Sequence, residues 1–427
     1  MKPYKLSAVT LPALVLAVVG LANCSAETHP DGTSAGGTSS EAAGEAGAGA
    51  SGAPDAEGGE GGAAGAAGAP CTEISGEYRH DANVGPGCVS LGTATILDGK
   101  FTIEPGTTIQ VQRGGSLEVS GDGTLSALGT AELPIVFTSA EDSPAAGDWK
   151  CIMLDADAPD SALDHVRLEY GGSSCGSSAS SLLVVSGVDQ LTHLEIHESA
   201  GHALRLLDSA RGIRQLHDLK FSAVEKTSLL VTPEAMNALR PPIVLDKDDK
   251  YIDVDSGALG DVEHEVTWHN VDLPYRFDSD VDIWSALTIE PGTTLAPTGM
   301  IWVTAHPAAV ITALGTAEAP IRWTSVEPTP APGDWGCIDF TQEKTSRFEF
   351  NEFEYGGSCS YGGHQQVLLV EVGASVAFRD LSFSHLPDVA ILKAFGCPSD
   401  SELTEWCGFH YEAVKDPVYC DLSLACK

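Results

Sequence analysis

The chain has 427 residues and a formal net charge of −37, with 60 acidic side chains against 23 basic ones. That imbalance excludes nucleic acid and anionic lipid as partners held by charge, because both require a basic surface. Glycine is abundant at 46 residues and aromatics supply only 7%, a composition suited to a turn-rich β chain rather than a helical one.

The first element is an export signal. Lys2 and Lys5 form a short basic region and Leu6 to Leu21 is apolar and uncharged, too short for a membrane span. Its end, Leu21-Ala22-Asn23-Cys24, resembles the lipobox of bacterial lipoproteins. The resemblance implies that residues 1–23 are removed and that Cys24 becomes the acylated first residue. Ser25, where an Asp would signal retention, resembles lipoproteins sent to the outer membrane of Gram-negative bacteria. The expected localisation is therefore an exported chain, held at that membrane through a lipid anchor. Residues 24–70 are nearly all Gly, Ala, Ser, Thr and Glu, with seven acids and no Lys or Arg in Ser25 to Pro70. Such a stretch cannot bury enough apolar surface to offset ordering and reads as a disordered tether. A flexible coil of this length spans roughly 35–40 Å.

The remainder is duplicated. TIEPGTT stands at Thr102 to Thr108 and again at Thr288 to Thr294, and the segments 101–152 and 287–338 align without a gap at 25 identities in 52 positions. The shared words are TIEPGTT, ALGTAE, a Pro-Ile, a Thr-Ser and GDW-x-C-I, with EYGG recurring at Glu169 and Glu354. Between them run short alternating apolar segments such as Thr108-Ile109-Gln110-Val111 and Ile135-Val136-Phe137-Thr138, separated by Pro-Gly, Gly-Gly and Gly-Thr. This is all-β patterning, open to a sandwich, a barrel or a solenoid. The words themselves resemble those of right-handed parallel β-helix proteins of the pectin-lyase-like type, over Cys71 to about Leu392. The resemblance implies a β-solenoid of two modules, 71–258 and 259–396, followed by a Cys-rich cap at 397–427. On that fold a rung of 22–25 residues would set Cys151 over Cys175 and Cys337 over Cys359, within disulfide reach. Cys71–Cys88 is expected from proximity, and Cys397, Cys407, Cys420 and Cys426 are expected to pair with one another in an oxidising compartment.

The strongest candidate for chemistry is His193-Leu194-Glu195-Ile196-His197. On a strand its three polar residues face outward, but the two His lie about 13 Å apart, too far to share one ion. Stacking Val166/Leu168, Leu194/Ile196 and Leu219/Phe221 as inward pairs aligns Arg167, Glu195 and Lys220 as a charge column. It also sets His193 beside His165 and Asp218, and His197 beside Glu169. The row therefore reads first as a structural ladder and second as a functional site. Asp278-Ser279-Asp280-Val281-Asp282 has a calcium-loop rhythm but places Ile283 where glycine is needed. Asp155, Asp157 and Asp160, and Asp246, Asp248, Asp249, Asp253 and Asp255, read as solvated acid. Trp149 and Trp335 belong to the GDW words, and Ala200-Gly201-His202-Ala203 is a partial echo of a glycosidase word. No metal and no cofactor is expected. The expected function is a cell-envelope protein with a structural, adhesive or glycan-binding role, its partners a polysaccharide or another surface protein. The alternative is a lyase or glycoside hydrolase acting on an acidic polysaccharide, which rests on fold analogy.

Overall fold

A computed structural model describes residues 71–157, 160–176, 178–207, 213–255, 257, 260–341, 344–394 and 406–420. The export signal, Cys24, the tether, Cys397 and Cys426 lie outside them.

The repeated words form corners. In each TIEPGTT the amide of Thr107 or Thr293 donates to the carbonyl of Glu104 or Glu290 at 3.3 Å, and the threonine hydroxyl donates to the same oxygen at 2.6 or 2.8 Å. Pro at the second position and Gly106 or Gly292 at φ 76° or 79° complete a type II turn. The Thr-Ser and GDW words lock a second corner. Asp148 accepts from Ser139 Oγ at 2.7 Å and from the Ala145 amide at 2.9 Å, and Asp334 accepts from Ser325 Oγ at 2.6 Å and from the Ala331 amide at 2.8 Å. Trp149 and Trp335 are fully buried, and each indole N–H donates at 2.7 Å to the carbonyl of Glu169 or Glu354. EYGG follows from this. A Cβ on Gly171 would stand 2.8 Å from the Trp149 ring, and one on Gly356 would stand 2.5 Å from the Trp335 ring.

The chain winds as a parallel β-helix with three strands per rung. One inward column runs Val119, Leu154, Val184, Leu206, Val231, Val254, Phe277 and Pro297, each residue in register with the next. A second runs Phe137, Leu168, Ile196 and Phe221, and a third Ala127, Leu163, Leu191 and Leu216. The rungs of the second copy carry aromatics instead. Phe353 stacks on Phe383 at 5.2 Å and Phe383 on Tyr411 at 5.6 Å. Each fully buried side chain of this size contributes about 1.5–3 kcal/mol, and the stack distributes that gain along the whole coil.

The two copies make one continuous coil, with a rotation between them. Ile152–Ala156, which follows the first GDW word, lies in the sheet that passes through Ile252–Val254 to Tyr275–Phe277 and Thr294–Pro297. The equivalent strand of the second copy, Trp335–Phe340, lies in a different sheet with Gly299–Ala305. The second copy thus joins the coil turned by one face. At the junction the short 3-10 turn Ala235–Ala238 takes the place of a strand. It is fixed by Asn237 Oδ1, which accepts the Thr267 amide at 2.9 Å, and by the Pro233 carbonyl, which accepts the Trp268 indole N–H at 2.9 Å.

Non-glycine residues with positive φ flank one short strand in rung after rung. The pairs are His165 and Tyr170, His193 and Glu198, Asp218 and Ala223, Phe350 and Tyr355, and Asp380 and His385; Gly408 and Ala413 repeat the pattern once more. Every pair is five residues apart, and the strand between is held by its two left-handed ends.

Registered outward pairs put the rung length at 23 (Asp253 to Arg276), 25 (Glu195 to Lys220), 28 (Arg167 to Glu195) and 30 residues (Arg322 to Glu352), a wider range than the expected 22–25. This corrects the geometry expected for the cysteines. Cys151–Cys175 and Cys337–Cys359 are bonded, with Cα atoms 5.6 and 5.8 Å apart, yet they are not stacked strand on strand. Ile152 registers with Leu182 and Ile338 with Leu368, so each second cysteine sits in an insertion that folds back over the outer face. Cys359–Tyr361 pairs antiparallel with His364–Val370 in doing so. Cys71–Cys88 is also bonded. Cys407, on the strand Trp406–Cys407, differs from expectation: it is exposed with a free thiol. The described part of the C-terminal segment continues the coil, with Trp406 on Phe378, Tyr411 on Phe383 and Val418 on Ile391.

Gly171→Ala is expected to lower stability by about 1–3 kcal/mol through overpacking against Trp149. Chemical denaturation measures this, and an unchanged midpoint would contradict the role assigned to EYGG.

Candidate functional site

The row His193, Glu195, His197 lies on Val188–Ser199. Glu195 registers with Arg167 on one side and Lys220 on the other, with contacts of 2.9 and 3.4 Å. Burial pushes the Glu195 carboxyl up, but the Arg167 bond and the charges of Arg167 and Lys220 outweigh it and hold the group below the usual carboxylate range. His197 registers with Glu169, meets Ser222 through Nδ1, and lies 3.5 Å from Glu195 through Nε2. Glu195 and His197 are thus held in the charge column, as the stacking of inward pairs predicts.

His193 belongs to another group. It stacks on His165 with ring centroids 4.1 Å apart and 18° between planes. Asp164 Oδ1 accepts from His193 Nδ1 at 2.8 Å, from Thr192 Oγ1 at 2.8 Å and from His165 Nδ1 at 3.1 Å. His193 Nε2 faces Asp218 Oδ2 at 3.7 Å, and that oxygen accepts from His217 Nδ1 at 2.6 Å. A pocket of about 380 Å³ opens beside the group, lined in part by His165, His193, Asp218, Pro134 and Val244. Among the described residues, Asp164, His165 and His193 are the group whose ligand-type atoms all lie within 4.8 Å of one another.

A cleft of about 600 Å³ crosses the junction of the two copies, continuous through Arg276, Val326 and Glu327 with a neighbouring one of about 330 Å³. Its floor is the outward column Leu230, Asp253, Arg276, in register rung by rung. Arg276 grips Asp253 through two bonds of 2.5 and 2.8 Å, and its guanidinium lies 5.6 Å from the centre of the Tyr251 ring. Arg205 binds Asp255 at 3.1 Å. The Tyr251 hydroxyl donates to the Val326 carbonyl at 3.3 Å, joining the two walls. His202, at one end, meets Thr227 Oγ1 at 2.6 Å. Burial, with Lys226 and Arg205 nearby, pushes its pKa down to about 4, so it is neutral at pH 7. The sequence reading noted the word around His202 and the calcium-loop rhythm at Asp278, and treated Asp248, Asp249, Asp253 and Asp255 as solvated acid, without bringing them together. The cleft escaped it because its floor comes from unequal rungs and exists only where the coil rotates.

The other acids are structural. Asp246 is buried and accepts the Val224 amide at 2.7 Å, and Asp249 accepts the Ser228 amide at 2.6 Å. Asp280 accepts the Trp302 amide at 2.8 Å, and Asp282 meets His306 Nε2 at 2.8 Å. Asp339 is the exception. It registers between Thr304 and Leu369 on the outer face, and its Oδ1 is buried with no hydrogen-bond partner. Burial, reinforced by Glu371, pushes its pKa up to about 7.

Residues 90–185 match the family model described as a pectate-lyase like beta helix domain. The matched stretch runs through the outer-face insertion to the strand that follows it, Ser180–Ser186, and the same parallel winding continues beyond it, so this part of the parallel β-helix is similar to a pectate-lyase like domain. No curated protein and no solved structure matches the chain.

Asp339 yields a pH prediction. Below about pH 4 the carboxyl is neutral in both the folded and the unfolded chain. As pH rises from there to about 7 the unfolded chain loses the proton and the folded one keeps it, so folding loses stability across that window and no further above it. Asp339→Asn should therefore raise the thermal midpoint at pH 7.5, by an effect on the order of a few kcal/mol, and the advantage should shrink toward pH 4.5. Equal midpoints at both pH values would contradict the burial assigned to this group.

Proposed function

We propose that this chain is an exported cell-envelope lipoprotein whose β-helix binds a neutral polysaccharide along the junction cleft without cleaving it. The supporting observation is the cleft itself. It runs over successive rungs from His202 to Thr298, a span of about 19 Å at the spacing of parallel strands. The adjoining pocket adds the ring of Tyr251, held beside Arg276, to the fixed polar groups of the cleft, the form of a preorganised binding site. The match of residues 90–185 to a pectate-lyase like domain is consistent with a polysaccharide-related role.

Charge argues for a neutral polymer. Asp248, Asp249, Asp253, Asp255, Asp278 and Glu327 line the cleft and its neighbour against the cations Lys250 and Arg276, and Arg205 beneath them is bound to Asp255, on a chain of net charge −37. An acidic polymer would be repelled. The pairing also argues for binding rather than turnover. Arg276 and Arg205 are committed to Asp253 and Asp255, and a histidine with a pKa near 4 is a weak base at neutral pH.

A glycan array probed with the unit Ala67–Lys427 should show saturable binding of neutral glycans. Tyr251→Ala should weaken it about tenfold, the effect of truncating one aromatic anchor. Binding indifferent to that change would remove the cleft from consideration. Incubation with neutral and acidic polysaccharides, with and without calcium, should release no new reducing ends and no unsaturated product. Sustained product formation lost in His202→Ala would favour a lyase or hydrolase instead.

The anchor is tested separately. Metabolic labelling with a clickable fatty acid should mark the wild type and spare Cys24→Ala, because the thiol is the acceptor of the thioether lipid. Equal labelling of the two forms would refute the lipoprotein assignment. Stable attachment needs more than one acyl chain on Cys24.

A further inference from the structure

The corner column of the second sheet carries chemistry that neither the charge ladder nor the junction cleft uses. Its successive residues are His165, His193 and Asp218, at φ 49°, 48° and 57°. They stack because Val166 registers with Leu194 and Leu194 with Leu219. Two imidazole nitrogens therefore converge on one oxygen of Asp164, at 2.8 and 3.1 Å. We infer that Asp164, His165 and His193 form a binding site for one divalent transition-metal ion of the zinc class.

The donor set supports that ion class. Two imidazoles and a carboxylate suit zinc, cobalt, nickel and iron, whereas calcium and magnesium call for oxygen throughout. The geometry is close to what coordination needs. Bonds of about 2.0–2.1 Å at tetrahedral angles set ligand atoms about 3.3 Å apart, so the nitrogen–oxygen contacts of 2.8 and 3.1 Å need open only a little, while the stacked rings, 18° between planes, must each turn until both planes contain the ion. His193 and His165 have side chains 46% and 25% exposed, which leaves both rings room to make that adjustment. The surroundings match those of metal-bound histidine, which commonly presents its far N–H to a carboxylate that is itself held. His193 Nε2 faces Asp218, and Asp218 accepts from His217. Thr192 fixes Asp164 in the same manner. The adjoining pocket of about 380 Å³ leaves the remaining coordination positions open to water or to a ligand.

The spacing of His193 and His197 along one strand argued against a shared ion, and within that strand the argument stands. The second imidazole comes from the preceding rung instead. In the second copy the corresponding corners are Phe350 and Asp380, so the donor set belongs to the first copy alone.

The test titrates the purified chain, stripped with EDTA, with cobalt(II) followed by visible d–d absorption, and with zinc chloride followed by calorimetry. One ion per chain is expected, with zinc displacing cobalt and raising the thermal midpoint by ligand linkage. His165→Asn and His193→Asn place in each corner a residue that tolerates positive φ, so the coil is kept while a donor is lost. Each should weaken binding at least tenfold and abolish the zinc-dependent rise in midpoint, and Asp164→Asn should do the same. His306→Asn, which removes a histidine paired with Asp282 elsewhere on the coil, should leave binding unchanged. Absence of saturable binding, or undiminished affinity in both corner variants, overturns the assignment.

Discussion

A side chain held at positive φ at both ends of a four-residue strand is the constraint on which this coil turns. Left-handed backbone costs a non-glycine residue about 1–3 kcal/mol, yet five of the pairs along the chain are built without glycine at either end. The cost is offset because each corner still makes its hydrogen bond to the next rung. Tyr170 donates to the His197 carbonyl at 3.2 Å, Tyr355 to Ser384 at 3.2 Å and His385 to Glu412 at 3.0 Å. Where successive rungs turn at the same two places, the residues between them fall into register and the apolar columns close.

The same constraint decides what the surface can do. Identical turning points stack outward residues directly above one another, and on an acid-rich chain that invites repulsion. The chain answers with alternation, in Arg167, Glu195 and Lys220 on one face and Asp253 with Arg276 on another. Stacked corners also bring like residues together, and His165 on His193 and Tyr355 on His385 are both ring stacks. Packing and polar chemistry thus follow from a single geometry. Inward positions supply stability, and outward or corner positions are free to carry function.

Much of this was legible in the letters. EPGT is a turn with Pro and Gly where a type II turn needs them, and GDW and EYGG stood out as repeated words, though only the structure joins them as a buried indole and the glycine that admits it. The pairing of Arg167, Glu195 and Lys220, and the approach of His193 to His165, followed from the alternation of Val, Leu and Ile alone. Other features left no such trace. The left-handed corners are occupied by His, Tyr, Glu, Asp, Ala and Phe, types with no shared composition to mark them. The cysteines were paired correctly on the premise of equal rungs, but insertions before Leu182 and Leu368 lengthen the turn, and the bridge is made by a hairpin on the outer face. The junction cleft requires knowing that one copy is rotated against the other, which no local word encodes.

That rotation explains why a duplicated chain has a cleft that is not duplicated. TIEPGTT, GDW and EYGG stand in both copies and make the same corners and the same indole–glycine contact in each. The polar residues obey no such symmetry. His193, Glu195 and His197 of the first copy stand opposite Asp380, Ser382 and Ser384 in the second. The cleft belongs to neither copy, because its lining runs from His202 to Glu327, across the junction where strands of the second copy join a different face of the coil. A duplication that only lengthened the coil would have added more of the same surface. Joined with a turn of one face, it made a concavity that a regular stack of rungs does not contain.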